Sequence, residues 1–249
     1  MITIKKWYGR LGNNIIQLIT SIQTALYYKT NISIPDHPFF NVNLIEQSIN
    51  NFSSNSCFDL EDNFFFRNHR KAPPIDKEVY LNNEKEAIDL VKEAFLKINL
   101  PILDKNTIVI HIRSGDIFRQ KPHPKYCPPP LSYYTNIIEN SNFKKIILIS
   151  QDTKNPIVEC LLNMYPQALY KKNKLIDDIA IILGAKTVVK SVGTFIPQLL
   201  KLSNNIEKIY RPKMFSKELK NYYVKNRPWK RTPQQLDNLL NYVYPIHQS

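Results

Sequence analysis

Apolar residues recur at helical spacing over Ile15, Leu18, Ile19, Ile22, Ala25 and Leu26. Residues 14–29 are therefore predicted as a helix with one buried face. Before it, Ile4 closes a short strand, Gly9 and Gly12 make a turn, and Asn13 or Asn14 is placed to cap the helix. Residues 31–35 read as a second strand. Strand, glycine turn, helix and strand form the opening of a Rossmann-like unit. Residues 39–74, with Phe64, Phe65 and Phe66 at their centre, show no clean period and are expected to be irregular. A second amphipathic helix is predicted over 83–97 from Ala87, Leu90, Val91, Ala94, Phe95 and Ile98, with Pro101 as its stop.

The central stretch, 107–112, is rich in β-branched residues, as a strand covered on both faces should be. His111 and Arg113 are two residues apart, so their side chains leave an extended strand on one face. Ser114, Gly115 and Asp116 then break the strand. Residues 118–130 are basic and proline-rich, a stiff excursion before a helix at 131–140. Beyond it the pattern alternates: strands at 145–150, 168–170, 186–190 and 206–210, and helices at 156–164, 176–183 and 195–202. Alternation of this kind predicts a parallel, helix-covered α/β sheet. The organisation read from these patterns is a Rossmann-like domain over 1–100, a second over 101–211 and a helical tail over 212–249, interrupted at Pro228, Pro233 and Pro245.

The 43% hydrophobic content suits a packed core, and no apolar run reaches the 18 residues a membrane span needs. The N-terminus lacks the apolar stretch of a signal peptide, so a cytoplasmic location is expected, with room for peripheral membrane contact. Cys57, Cys127 and Cys160 are too few and too far apart for a disulfide framework or a zinc site. A net charge of +13 calls for an anionic partner. The lysines are scattered among many Asn and Ile residues, however, a composition that an AT-rich genome also produces.

Arg113 is the leading candidate. A guanidinium offers planar, bidentate donors to phosphate oxygens and is almost never buried without a partner. With His111 and Asp116 it forms a polar group at a strand's C-terminal end, where α/β sheets bind ligands. The expected ligand is a nucleotide diphosphate. His111 reads equally as a satisfied strand residue, and Asp116 equally as a cap. Gly9 and Gly12 before a helix suit a phosphate or a bare turn about evenly. Asp178, beside Asp177 at a helix start, accepts from a base or ribose or simply complements the dipole. Ser191, Gly193 and Thr194 offer hydroxyls and amides ahead of a helix, and Phe195 stacks on a base or joins the core.

Three motifs occur in order: Gly-Arg-Leu-Gly-Asn at 9–13, His-x-Arg-x-x-Asp at 111–116, and Ser-x-Gly-Thr-Phe at 191–195. Together they resemble the GDP-fucose fucosyltransferase superfamily, which includes the α1,2-, α1,6- and protein O-fucosyltransferases. The resemblance implies a GT-B-like α/β fold, two Rossmann-like domains facing across a cleft, the first on the acceptor side and the second holding the donor. It implies an inverting transfer of fucose from GDP-fucose to a glycan hydroxyl, of the α1,2 kind, with no metal or other cofactor. In this correspondence Arg113 contacts the diphosphate and is essential for transfer. His111 and Asp116 flank the donor. Asn13 reaches the donor or the reaction centre, and Asp178 reads the guanine or its ribose. Ser191, Thr194 and Phe195 surround the phosphates and base. Two positions depart from the pattern. Ser114 stands where many members have a second arginine, and Gly193 stands where they have a hydroxyl residue.

Asp36, His37, Asp59 and His69 are unranked candidates for a general base on the acceptor. Other readings stay open: transfer from another nucleotide sugar, a non-catalytic sugar-nucleotide-binding relative, and, from the charge and Trp229-Lys230-Arg231, a nucleic-acid-binding protein. Nucleic acid is not the expected partner, because the α/β alternation matches none of the familiar binding modules.

Overall fold

The computed structural model describes residues 1–52, 60–61, 76–118, 128–212 and 232–243. Asp59, His69, Cys57, Cys127, Trp229, Pro228, Pro245 and most of the basic excursion lie outside them. The chain divides into two compact units, Met1–Asn99 with Pro197–Leu202, and Leu100–Ile196 with Ser203–Ser249.

The first unit carries a parallel sheet in the order β2-β1-β3, with β1 at Ile2–Thr3, β2 at Ile32–Ser33 and β3 at Leu60–Glu61. Helix α1 spans Leu11–Tyr28 and begins earlier than the pattern predicts. Arg10 is its N-cap, and neither Asn13 nor Asn14 caps it. Gly12 thus belongs to the helix, and only Gly9, at φ 73°, makes the turn. The expectation of one buried face also needs correcting. Gln17, Ser21, Gln23 and Thr24 are as buried as Ile15 and Leu18, because α3 (Lys77–Asn82) and α4 (Glu84–Ala94) cover the side away from the sheet. Gln23 Nε2 donates there to Tyr80 O at 3.4 Å, whereas Thr24 Oγ1 donates within α1 to Thr20 O at 2.6 Å.

The predicted irregular region contains a helix, α2 at Val42–Ile49, with Val42, Ile45 and Ile49 inward. Asn41 caps it through Leu44 N at 3.3 Å. Helix α4 stops at Ala94, well before Pro101. Phe95 turns extended and bridges to Phe40, with Leu96 N donating to Phe39 O at 2.9 Å. A tertiary contact, invisible to local pattern, ends that helix.

The second unit is a five-stranded, wholly parallel sheet in the order β6-β5-β4-β7-β8. Its strands are β4 Thr107–His111, β5 Lys145–Ile149, β6 Ala168–Tyr170, β7 Thr187–Val189 and β8 Lys208–Tyr210. Helices α5 (Leu131–Glu139), α6 (Ile157–Met164) and α7 (Leu175–Gly184) connect them, and α8 (Phe195–Leu200) follows β7. Ile108, Ile110 and Ile112 pack with Tyr134 and Ile138 of α5 and Ile157 and Leu161 of α6. Each such buried side chain contributes about 1.5–3 kcal/mol.

Helix α9 (Pro233–Leu240) is no free tail, because Leu239 enters the same core. Pro233 starts this helix rather than interrupting one. Thr232 and Gln235 form a capping box, and Pro is pre-shaped for a first helical position. No helix among the described residues is long and apolar enough to cross a membrane.

Candidate active site

The chain runs outward from β4 to β5 and β6, then returns to place β7 against the other edge of β4. Strand order therefore reverses between β4 and β7, and ligands of open α/β sheets bind at the carboxyl ends of strands that flank such a switch point. Arg113 lies just past the end of β4, and the 191–195 turn lies just past β7.

Arg113 is held by Asp116 through two contacts, Nε to Oδ1 at 3.1 Å and Nη2 to Oδ2 at 2.6 Å. Their side chains are 13% and 27% exposed, so the fork is fixed yet open to one side. Gly115, at φ 66°, starts a 3₁₀ turn over Gly115–Phe118 that brings Asp116 back to Arg113. A Cβ there would lie 2.8 Å from Gln151 Oε1, the movable end of a side chain, so it is the positive φ that calls for glycine.

On the other flank the 191–195 turn closes in. A Cβ on Gly193 would sit 3.3 Å from Arg113 Nη1, and Gly193 has φ 106°. The departure from a hydroxyl residue at 193 thus makes room for the guanidinium. His111 faces the same turn, its ring 6.0 Å from that of Phe195. It is 7% exposed, and its Nδ1 lacks a hydrogen-bond partner among the described residues. Burial first, and then the Arg113 charge, lower its pKa to about 3, so the ring is neutral at physiological pH.

Ser114 is buried and cannot supply what an arginine would. Instead it locks the loop. Its Oγ donates to Asp152 Oδ1 and accepts from Asn155 N at 3.1 Å. Asn155, 1% exposed, donates from Nδ2 to Arg113 O at 2.9 Å, and its Oδ1 accepts from Ile157 N at 3.1 Å. The loop after β5 thereby grips the main chain on which Arg113 is mounted. Neither Asp152 nor Asn155 stands out in the sequence, since only the pairing of β4 with β5 makes them neighbours of Ser114.

The remaining sequence candidates fall in different places. Asp178 lies in the first turn of α7 and accepts from Asn173 Nδ2 at 3.0 Å. Desolvation raises its carboxyl pKa against that hydrogen bond, and Asp177 adds to the rise. Near it is a residue the sequence did not single out. The Tyr170 hydroxyl, at the end of β6, is shut off from water without a hydrogen-bond partner among the described residues. Its pKa is raised by burial and by the charges of Asp152 and Asp178. Thr194 stays partly buried at the turn.

Ser191 opens the 191–195 turn. Its hydroxyl is buried and interacts with the Tyr134 phenol, although neither oxygen has a partner at hydrogen-bond geometry. Gly12 is buried in α1, and the Asn13 side chain packs back over Gly9. Asn13 thus sits in the first turn of α1, in the first unit.

Of the candidate bases, His37 is structural. Its Nδ1 accepts from Phe39 N at 3.1 Å, and its Nε2 faces Asn14 Oδ1 at 3.3 Å. Desolvation lowers its pKa to about 4. Asn14 in turn donates to Tyr8 O at 3.0 Å, and Gln17 spans Tyr8 N and Lys6 O. Among the described residues no three His, Cys, Asp or Glu side chains are grouped closely enough to hold a metal.

No family model and no curated protein matches this chain. Among solved structures it is similar to POFUT1 in complex with GDP, at 10% identity and a TM-score of 0.48, over 84% of this chain and 97% of that one. It is also similar to POFUT1 in complex with GDP-fucose, at 10% identity and a TM-score of 0.45, over 84% and 96%.

Proposed function

We propose that this protein is an inverting, metal-independent glycosyltransferase of GT-B-like architecture that moves fucose from GDP-fucose to a glycan hydroxyl. The observation that carries this reading is Arg113, held as a preorganised fork beside a strand-order switch point, with a neutral His111 and Phe195 on its flank. In the reaction the acceptor oxygen attacks C1 of fucose from the face opposite the diphosphate. The C1–O bond to the β-phosphate breaks, GDP leaves with the bonding electrons, and the acceptor's proton passes to solvent water. Negative charge grows on the departing diphosphate, and a fixed cation aimed at it is worth about 3–4 kcal/mol. Arg113 would supply that cation, and His111, being neutral, could donate one N–H without adding charge. Asp178 and Tyr170 offer an acceptor and a hydroxyl for the nucleoside.

The test is GDP-fucose binding followed by thermal shift, together with GDP release on a glycan acceptor, run beside GDP-mannose and UDP-sugars and with Arg113→Ala. Stabilisation by GDP-fucose that Arg113→Ala abolishes is expected. No response to any nucleotide sugar, together with salt-dependent binding to DNA, would sink the proposal.

A further inference from the structure

Two cations stand side by side at the carboxyl ends of neighbouring strands in the second unit. Lys190 directly follows β7, and Arg211 directly follows β8. The ladder still holds at this point, because Lys190 N donates to Tyr210 O at 3.0 Å. Val189 is paired with Ile110 on one side and with Tyr210 on the other. One residue further along both registers, His111, Lys190 and Arg211 form a row across three strands.

Residues in register on parallel strands share a face, and successive residues alternate between faces. Ile110, Val189 and Tyr210 pack on the α5 side, in the core with Tyr134. His111, Lys190 and Arg211 therefore leave the sheet on the opposite face. Ser191 obeys the same alternation, for it returns to the α5 side beside Tyr134.

This row costs the protein stability. Lys190 is half-buried, and desolvation first and then the Arg211 charge lower its pKa. Among the described residues no carboxylate forms an ion pair with either side chain. The amino ends of the same two strands show the ordinary solution, with Lys186 Nζ 2.5 Å from Glu207 Oε1. A half-buried cation set beside another cation, with no acid to relieve it, is the mark of a place where an anion completes the set. His111 adds to the row a buried, neutral ring whose Nδ1 lacks a partner among the described residues. The main chain is fixed in advance, since the Tyr133 hydroxyl donates to Lys190 O at 3.1 Å.

We propose that Lys190 and Arg211 bind a phosphate group on this face of the second unit. Adjacent strands lie roughly 4.8 Å apart, so two long side chains can close on one tetrahedral oxyanion. A phosphate dianion neutralises both cations, which a single carboxylate does not. The site stands on β7 and β8 and does not rest on the transferase reading above. Its phosphate belongs either to a nucleotide or to a separate ligand, and the experiment distinguishes the two.

The experiment is a phosphorus NMR titration of the full chain with inorganic phosphate and with pyrophosphate, repeated in the presence of GDP. Lys190→Gln should weaken pyrophosphate binding roughly tenfold or more, as loss of one charge-assisted hydrogen bond predicts, and Lys190→Arg should retain most of it. Arg211→Gln, at an exposed position, should lose less. Lys208→Gln removes the same charge from the other face of β8, where Lys208 lies over the Tyr210 ring, and should leave binding unchanged. The melting temperature of Lys190→Gln should match or exceed that of wild type, because a repelled, desolvated charge is gone. Pyrophosphate that displaces GDP occupies the nucleotide's phosphate site. Pyrophosphate that binds alongside GDP, or binds a protein that ignores GDP, marks a separate ligand. Failure of wild type to bind either anion, or equal losses in Lys190→Gln and Lys208→Gln, would overturn the inference.

Discussion

The side-chain amide of Asn155 donates to the main-chain carbonyl of Arg113 at 2.9 Å, across the paired ends of β4 and β5. A buried asparagine thus holds the backbone beneath the cation that the proposed reaction depends on. Asn155→Ala removes this bond together with the one that Asn155 Oδ1 accepts from the buried Ile157 N, at a cost of about 1–3 kcal/mol. GDP affinity should fall as well, by roughly tenfold or more if Arg113 shifts by a fraction of an ångström. Ser114→Ala should give a smaller loss of the same kind, with Ser114→Thr restoring part of it. Urea unfolding and GDP titration measure the two effects. A destabilised Asn155→Ala protein with wild-type GDP affinity would show that the latch serves stability alone.

Gly193 meets Arg113 from the opposite flank. Gly193→Ala puts a Cβ 3.3 Å from Arg113 Nη1 and asks an L-residue to adopt φ 106°. Strain of about 1–3 kcal/mol is expected, together with weakened GDP binding. Val192→Ala serves as control for general disturbance of the turn. Equal effects from both substitutions would argue against a specific role for the glycine.

His111 carries a pH signature. Burial lowers its folded-state pKa to about 3, below the 6.5 of the exposed ring, and His37 is lowered to about 4. A group depressed in the folded state contributes stability that is complete above its unfolded pKa. As pH falls below about 6.5 the unfolded chain takes up protons that the native chain refuses. Stability should decline by about 1.4 kcal/mol per pH unit from His111, with a smaller part from the less buried His37. Chemical unfolding between pH 7 and 5, above the carboxylate range, reads the slope. His111→Phe should flatten it, and an unchanged slope in that variant would contradict a buried neutral ring.

Tyr170 tests the nucleoside end. Its hydroxyl is buried without a partner, so Tyr170→Phe should leave the melting temperature unchanged or raise it. If that hydroxyl receives a bond from the nucleoside, GDP affinity should fall roughly five- to tenfold. A thermal melt and a GDP titration on one preparation decide it. Unaltered affinity would remove Tyr170 from the site.

Local pattern determined the elements whose causes are local. The β-branched run at 107–112, the alternation from 131 to 210 and the spacing of Arg113 between His111 and Asp116 were legible because strand pleat and helical period depend on near neighbours in sequence. Partnership across the sheet was not legible. Arg113 is gripped by Asn155 and crowded by Gly193 because β5 and β7 flank β4, and strand order is a property of the packed core. The end of α4 was misread for the same reason: Phe95 leaves the helix to pair with Phe40, half a chain-unit away. The Ser191 hydroxyl is buried beside the Tyr134 phenol, a neighbour that local pattern does not show. Which residues could hold a ligand was written in their chemistry; which of them stand together was decided only when the isoleucines of β4 brought three strands side by side.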